Sequence, residues 1–331
     1  MAATILTTAI TPTNPLSLIV DDMREVDSVI AHRLHSSVPL ISQISQYIIA
    51  AGGKRLRPAL LLMVCSALGY QGRQRFNLAA VVELIHTATL LHDDVVDEST
   101  MRRGRATANE AFGNPASVLV GDFLHTRSFQ MMVEAGSTRV LQILSDATNI
   151  IAEGEVQQLM NMHDASLDEE GYLHVIRSKT AKLFEASAQL GAVLAGSDAS
   201  VEAACATYGQ ALGTAFQIID DVLDYTGDTA EMGKNIGDDL REGKCTLPLI
   251  AAMQRAAPAQ AAIVRQAIEQ GSTEQLATVV GIVQATGALD VARDAAHAEA
   301  RRAIDALSQL PDNEHTANLL QLAAQLLDRR T

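Results

Sequence analysis

The sequence predicts an all-α protein. Apolar residues recur at helical spacing along almost the whole chain, as at Ile19, Met23 and Val26. Alanine-rich segments such as residues 251–257 add helix propensity, and alternating strand patterns with hairpin turns are missing. No linker rich in Gly, Ser or Pro divides the 331 residues, 48% of which are hydrophobic. We therefore expect one all-helical domain over residues 1–331.

Charge and cysteine content narrow the class of function. The chain carries 25 Lys and Arg against 39 Asp and Glu, a net charge of −14, which argues against nonspecific nucleic-acid binding. Cys65, Cys205 and Cys245 are odd in number and lack metal-ligand spacing, as expected in the reducing cytoplasm. Residues 1–18 have no basic region and contain two prolines. We expect a flexible tail there, and neither a secretion signal nor a membrane anchor.

Two aspartate clusters with the same D-D-x-x-D spacing are the main indication of chemistry. The first cluster consists of Asp93, Asp94 and Asp97, and the second cluster of Asp220, Asp221 and Asp224. Each follows a long apolar run, so its carboxylates begin where a buried helix ends. Carboxylates four residues apart share a helix face and repel each other, and the carboxyl end of a helix already carries partial negative charge.

This crowding of negative charge predicts bound cations. Hard divalent ions prefer carboxylate oxygens, and a site with few protein ligands suits Mg²⁺ that is shared with substrate phosphates. One such cluster alone is typical of a solvated helix end. The matched pair favours a metal site.

Basic residues stand next to the first cluster. Residues 52–58 read Gly-Gly-Lys-Arg-Leu-Arg-Pro, a glycine turn that leads through cations into the start of a helix and suits an anion. Arg102 and Arg103 follow the first cluster within reach of its carboxylates. The alternatives are a basic surface turn and a salt-bridge network.

Basic and polar residues also accompany the second cluster. Lys179 and Thr180 interrupt an otherwise buried-looking helical face, and Gln217 precedes Asp221 by one turn. Residues 225–248 form a polar, basic connection that is far longer than the usual length of about 4–6 residues. Such a segment is typical of a lid or binding loop, although a surface excursion remains the alternative.

Together, the motifs resemble those of the trans-isoprenyl diphosphate synthases. They occur in order at residues 52–58, 93–104, 179–180, 213–224 and 233–244. The resemblance runs from about residue 41 to the C-terminus without a departure at the charged motif positions. Residues 86–104 are most similar to bacterial members that make octaprenyl products.

The resemblance implies the isoprenoid-synthase fold, a helical bundle around a central cavity, usually as a homodimer. It implies a prenyltransferase that adds isopentenyl diphosphate repeatedly to an allylic diphosphate. The expected primer is farnesyl diphosphate, and the expected product is octaprenyl diphosphate or a near length, destined for a quinone side chain. The expected cofactor is Mg²⁺, as two or three ions that bridge to the substrate diphosphate.

Matched positions carry the family's roles over to this chain. Isopentenyl diphosphate is expected to bind Lys54, Arg57, His86 and Arg103. The allylic diphosphate is expected to bind Arg102, Lys179, Thr180, Gln217, Lys234 and Lys244. The expected metal ligands are Asp93, Asp94, Asp97, Asp220, Asp221 and Asp224. The expected catalytic residues, which stabilise the departing diphosphate, are Asp93, Asp97, Arg102, Lys179 and Lys234.

Product length is expected to depend on the helix that carries the first cluster. Thr89 and Ala88 lie about 6 and 7.5 Å before Asp93 along the helix axis. Both are small, whereas short-chain relatives carry a bulky aromatic residue near this level. We therefore expect a long product, and Ala88→Phe to shorten it. Candidates for a deeper floor are Phe123, Phe129, Met131 and Met132, for which ordinary core packing is the alternative.

Three other functions compete with this interpretation. A shorter-chain, geranylgeranyl synthase would share every motif. A terpene cyclase would also use aspartates and Mg²⁺, but its cavity would need aromatic residues that stabilise cations, and aromatic residues make up only 3% of this chain. A noncatalytic partner subunit is expected to lose one cluster, and this sequence keeps both.

Overall fold

The predicted all-α fold is confirmed by a computed structural model, which describes residues 14–50, 52–226 and 237–327. The first half contains the helices α1 Val20–Arg33, α2 Pro39–Ala50, α3 Leu56–Ala67, α4 Gln74–Val96, α5 Ala108–Phe112, α6 Asn114–Glu134 and α7 Thr138–Met160. The second half contains α8 Glu169–Ile176, α9 Lys182–Leu194, α10 Ala199–Leu223, α11 Asp238–Arg241, α12 Leu247–Arg255, α13 Pro258–Gln270, α14 Leu276–Ala285, α15 Ala288–Ala306 and α16 Glu314–Leu327.

Short polar residues start several of these helices. The Asp198 carboxylate accepts the backbone N–H groups of Ser200 and Val201 at 2.9 and 3.0 Å and so caps α10. Asp168 caps α8 in the same way, by accepting the N–H of Gly171 at 2.9 Å. These caps fix where the two helices begin, and both helices carry site residues.

The helix α10 lies at the centre of the molecule, between α9 and α15. Its first two thirds contribute Tyr208 and Leu212 to a large apolar core that includes α3, α4, α6 and α9. Its last turns contribute Ile218 and Val222 to a second core, which α8 and α12–α15 complete. Because α4 packs against α3, and α3 packs against α9, the two cluster-bearing helices are held in one framework.

A five-residue π-helical turn, Arg177–Ala181, joins α8 to α9 without a break. Such turns are rare and occur often at functional sites. Glycines on two neighbouring helices allow this turn to come close. A Cβ atom at Gly154 in α7 would lie 2.9 Å from the backbone nitrogen of Lys179, and one at Gly213 in α10 would lie 2.7 Å from the Cα of Ala181. The glycines therefore set the position of Lys179.

Two short strands, Met101–Arg102 (β1) and Arg105–Ala106 (β2), pair antiparallel after α4. The connecting residues Arg103 and Gly104 both have positive φ, 53° and 71°. This is the backbone that a two-residue hairpin turn requires. The hairpin fixes the directions in which the side chains of Arg102 and Arg103 extend from the backbone.

The sequence predicts a flexible N-terminal tail that ends at residue 18, but packing against the rest of the protein begins before that residue. Pro15 is buried, and its carbonyl oxygen accepts a hydrogen bond from Asn318 of α16 at 3.0 Å. Residues 1–13 lie outside the described residues. In the part of the chain that the structure describes, no single helix is long and apolar enough to cross a membrane, although α14 and residues 288–309 together, bent by 65°, meet the same criteria of length and composition.

Gly213→Ala is predicted to destabilise the protein. The new methyl group must push back the backbone of the π-helical turn at Ala181, at a cost of about 1–3 kcal/mol that exceeds the gain of about 0.5–1 kcal/mol from replacing a helical glycine. Gly281→Ala in α14 is the control, because nothing lies within 4 Å of its added Cβ, and it should stabilise. Urea unfolding measures both. A Gly213→Ala variant as stable as the wild type would contradict the close approach.

Candidate active site

Both aspartate clusters face one cavity of about 930 Å³, where the carboxyl ends of α4 and α10 meet. The cluster residues that line this cavity are Asp93, Asp97, Asp220, Asp221 and Asp224. Each helix ends inside its cluster, since α4 ends at Val96 and α10 at Leu223. Two negatively charged helix ends therefore share one space.

Asp94 is not brought to this cavity. It is fully buried, and its Oδ1 accepts hydrogen bonds from Nε and Nη2 of Arg102 at 2.9 and 2.7 Å. Asp94 lies one residue after Asp93, so its side chain points about 100° away around the helix. The carboxylate holds the Arg102 guanidinium at the cavity wall, which Arg102 lines.

Two lysines from the second half of the chain neutralise the first cluster. Nζ of Lys179, in the π-helical turn, lies 3.8 Å from Asp93 Oδ2 and 2.5 Å from Glu155 Oε2. Nζ of Lys244 lies 3.3 Å from Asp97 Oδ2 and 2.5 Å from Glu242 Oε2. Both lysines were predicted from the sequence, whereas their glutamate partners were not.

The crowding of charge shifts the pKa values of these groups. Burial raises the pKa of Asp93, and Lys179 opposes that rise. Burial, with Asp93 nearby, raises the pKa of Glu155 to about 7. Burial disfavours the charge on Lys244, but Glu242, Asp239 and Asp97 outweigh it and raise the lysine pKa. The site holds more negative charge than its lysines balance, which suits added cations.

Arg57 and His86 form a half-buried basic wall. Arg57 Nη1 lies 3.2 Å from His86 Nε2, and the Arg57 Cζ lies 4.5 Å from the centre of the Phe184 ring. Because arginine can only donate, His86 Nε2 accepts and the imidazole proton is on Nδ1. Burial and the charge of Arg57 lower the pKa of His86 well below its ordinary value, so the ring is neutral. Burial also lowers the pKa of Arg57 to about 10.

The glycine turn before α3 lies against the hairpin arginine. A Cβ at Gly53 would lie 2.7 Å from Arg103 Nη1, so any larger residue there would displace this guanidinium from its position. Lys54 and Arg103 line the same cavity. Arg55 also lines the cavity, although the sequence did not single it out. Its side chain pairs with Glu83 at 3.4 Å, and its backbone has a φ of 50°.

The polar pair Thr180 and Gln217 also lines the cavity. The Thr180 hydroxyl donates to Gln217 Oε1 at 3.0 Å, and Gln217 Nε2 donates to Asp221 Oδ1 at 2.8 Å. Asp221 itself is only 4% exposed. Lys234, predicted to bind the allylic diphosphate, lies outside the described residues.

Residues 237–246 complete the cavity beside the second cluster. The backbone N–H groups of Gly237 and Asp239 donate to the main-chain oxygen and Oδ2 of Asp224 at 3.2 and 3.3 Å. The N–H of His163 donates to the carbonyl of Gly243 at 2.8 Å. These bonds fix the backbone that presents Lys244.

The apolar part of the cavity includes one of the two predicted chain-length residues. Thr89 lines the cavity, and its hydroxyl donates to the His86 carbonyl at 2.8 Å. Ala88 is 1% exposed and lies in the large core. The candidates for a deeper floor, Phe123, Phe129, Met131 and Met132, also pack in or against that core and do not line the cavity.

Several cavity residues carried no signal that the motifs revealed. Glu155 and Gln158 line the cavity from α7, as does Asn161, the residue directly after that helix. Their spacing of three residues places them on one helical face, and this polar stripe is the one trace of them in the sequence. Tyr172 and Glu242 also line the cavity. Neither was predicted, because the partner of Tyr172 is distant in the chain and Glu242 lies in a loop.

The donor set fits Mg²⁺ that is shared with a substrate. Among the described residues, no three His, Cys, Asp or Glu side chains converge so as to hold a metal ion by themselves. Opposed carboxylates with few protein ligands per ion are what Mg²⁺ uses when phosphate and water oxygens supply the rest. The chemistry of the site therefore fits the Mg²⁺ that the sequence predicts.

Comparisons with known proteins agree with this geometry. A family model described as polyprenyl synthetase matches residues 38–284. Octaprenyl diphosphate synthase of Escherichia coli strain K12 is 53% identical over 92% of this chain and 95% of its own length.

Two solved structures share the whole architecture. A polyprenyl synthase from Caulobacter crescentus CB15, complexed with calcium and isoprenyl diphosphate, is 44% identical with a TM-score of 0.92, over 96% of this chain and 97% of that chain. A decaprenyl diphosphate synthase from Rhodobacter capsulatus is 45% identical with a TM-score of 0.91, over 96% and 98%.

The pKa of Glu155 predicts a pH dependence of stability. Folding raises this pKa from the ordinary 4.5 to about 7, so the folded state binds a proton that the unfolded state releases, and stability falls as pH rises between these values. Glu155→Gln should remove that slope. The stability of the wild type relative to the variant should drop by about 1–3 kcal/mol from pH 5 to pH 8. Urea unfolding in EDTA measures it, and equal pH slopes would contradict the assignment.

Proposed function

Because this chain belongs to the polyprenyl synthetase family, we propose that its cavity joins isopentenyl diphosphate to an allylic diphosphate in repeated, Mg²⁺-dependent condensations. It is a prenyltransferase, a long-chain trans-polyprenyl diphosphate synthase. The observation that carries the proposal is the meeting of two carboxylate clusters and a basic wall in one cavity. Two diphosphates and their counterions need both kinds of charge.

The first step breaks the C–O bond of the allylic diphosphate. The electron pair of that bond leaves with the diphosphate, and an allylic cation remains. Lys179 and Arg102 stabilise the growing negative charge on the leaving oxygens. Asp94 fixes the Arg102 guanidinium in advance, so little reorganisation is needed when the charge develops. The predicted partners Thr180, Gln217 and Lys234 complete this subsite.

The second step forms the new C–C bond. The double bond of isopentenyl diphosphate attacks the allylic cation, and loss of a proton to the departing diphosphate restores a double bond. Lys54, Arg57, His86 and Arg103 hold the diphosphate of isopentenyl diphosphate. The neutral His86 accepts a bond from Arg57 and so orients that guanidinium. Binding both substrates side by side lowers the entropic part of the barrier.

Asp93, Asp97, Asp220 and Asp224 would hold the Mg²⁺ ions, two or three in number. When bound, Mg²⁺ supplies electrostatic stabilisation of the leaving diphosphate. Glu155 and Glu242 hold Lys179 and Lys244 beside these aspartates. The leaving diphosphate therefore meets lysine side chains in addition to metal ions.

The growing chain extends along the apolar wall of the cavity. This wall consists of Leu90, Ile151, Val175, Leu183, Phe184 and Phe216. Thr89 leaves the wall beside α4 open. We propose farnesyl diphosphate as the primer, and a product of octaprenyl length or near it for a quinone side chain. The relatives named above for octaprenyl and decaprenyl products support this range.

The protein is proposed to act in the cytoplasm as a homodimer with one prenyltransferase domain per chain. The three free, buried cysteines suit a reducing compartment. Helices α6 and α7 expose large apolar side chains, at Leu119, Val133, Val156, Leu159 and Met160, and such surfaces mark association sites. Light scattering should give twice the chain mass of 35.3 kDa, and a monomer would contradict the proposal.

The activity is tested with the purified chain alone. Incubation with Mg²⁺, farnesyl diphosphate and labelled isopentenyl diphosphate should give a linear diphosphate near octaprenyl length by mass spectrometry. A cyclic hydrocarbon would indicate a terpene cyclase. Geranylgeranyl diphosphate as the end product would indicate the shorter-chain synthase, and no turnover would indicate a noncatalytic subunit.

Thr89→Phe is predicted to shorten the product, because the ring would fill the cavity beside α4. Ala88→Phe is the matched comparison, since its ring enters the closed core next to the same wall. We expect shortening from both, with a larger loss of stability in Ala88→Phe. Thin-layer chromatography of the products and thermal unfolding measure the two effects. Full-length product from both variants would contradict control of length at this level.

A further inference from the structure

A chain of three hydrogen bonds runs from Tyr172 to Thr180 beside the cavity. The Tyr172 hydroxyl donates to Asp221 Oδ2 at 2.6 Å. The other carboxylate oxygen, Oδ1, accepts from Gln217 Nε2 at 2.8 Å. Gln217 Oε1 in turn accepts from the Thr180 hydroxyl at 3.0 Å. The chain therefore joins α8, α10 and the π-helical turn.

The bonds around Asp221 orient the Gln217 amide. The Tyr172 hydroxyl and Gln217 Nε2 both donate to Asp221, while Gln217 Oε1 accepts from the Thr180 hydroxyl. The amide nitrogen therefore faces Asp221, and the amide oxygen faces Thr180. One amide hydrogen points to Asp221, and the second remains for the cavity that Gln217 lines. Without the anchor, the amide could turn and present its oxygen to a bound anion.

Burial fixes the positions of Tyr172 and Asp221, which together anchor Gln217. Tyr172 is 3% exposed and Asp221 is 4% exposed, and the Tyr172 ring packs in the core formed by the end of α10 and α12–α15. Both oxygens of Asp221 already accept bonds from neutral donors. The carboxylate is therefore committed to the protein, although it belongs to a D-D-x-x-D cluster.

We propose that Tyr172 is a positioning residue for the allylic diphosphate. It acts through Asp221 on Gln217, and keeps an amide N–H directed at the anion. This inference rests on the proposed function, because it assigns a role within the same condensation. Neither Tyr172 nor Asp221 is a metal ligand in this proposal. Breaking this chain of hydrogen bonds, here called the relay, should therefore weaken diphosphate binding without changing the requirement for Mg²⁺.

Tyr172→Phe tests the proposal by removing one hydroxyl from the relay. The KM for the allylic diphosphate should rise about tenfold, as expected when a buried hydrogen-bond acceptor loses its donor. The KM for isopentenyl diphosphate and the half-saturating Mg²⁺ concentration should change by less than about twofold, because neither depends on Gln217. Steady-state kinetics on a single condensation measure all three.

Tyr208→Phe is the matched control. Tyr208 lies on the same helix as Gln217, is fully buried, and donates its hydroxyl to the carbonyl of Leu319 at 2.8 Å. It does not line the cavity. Its loss should lower the melting temperature much as Tyr172→Phe does, and leave every KM unchanged. Equal kinetics in the two folded variants would overturn the proposal and leave Tyr172 a packing residue.

A double-mutant cycle shows whether the effect passes through Gln217. In a Gln217→Ala background, Tyr172→Phe should raise the allylic KM by less than about twofold, because the group that it orients is gone. Independent, multiplying effects would overturn the proposal, as would a shifted Mg²⁺ requirement. A wild type that makes no polyprenyl product would instead refute the proposed function itself.

Discussion

Carboxylates crowd the carboxyl ends of α4 and α10, and the rest of the site depends on how that repulsion is offset. Asp93 and Asp97 on one helix face Asp220 and Asp224 on the other across a single cavity. Lys179 and Lys244 offset part of the charge from within the chain. The remainder is suited to Mg²⁺ and to the cationic wall around Arg57. A site built in this way binds anions and metal together or binds neither well.

The fold serves this arrangement through close packing. Gly154 and Gly213 admit the π-helical turn between α7 and α10, which brings Lys179 to Asp93. Gly53, in contrast, lies against the flexible end of the Arg103 side chain. The position of Lys179 thus depends on the absence of side chains at two neighbouring positions. One of these glycines, Gly213, belongs to a charged motif of the sequence.

Much of the site could be predicted because its spacing is local. The i, i+4 pair Asp93 and Asp97 shares a face in any helix, and the same holds for Asp220 and Asp224. The second aspartate of each cluster could not be placed from the sequence, because what lies about 100° around the helix depends on the packed partners. Asp94 meets Arg102 there, and Asp221 meets Tyr172 and Gln217. Glu155 was invisible for the same reason, since its partner Lys179 reaches it only through tertiary packing.

We propose that the two clusters hold an allylic diphosphate through Mg²⁺. Isothermal titration with a nonhydrolysable allylic thiolodiphosphate measures this contact without turnover. The wild type should bind this analogue tightly with Mg²⁺ and weakly in EDTA, and Asp93→Asn and Asp220→Asn should each abolish the Mg²⁺-dependent part. Affinity that is the same with and without Mg²⁺, or that survives both substitutions, would contradict the account.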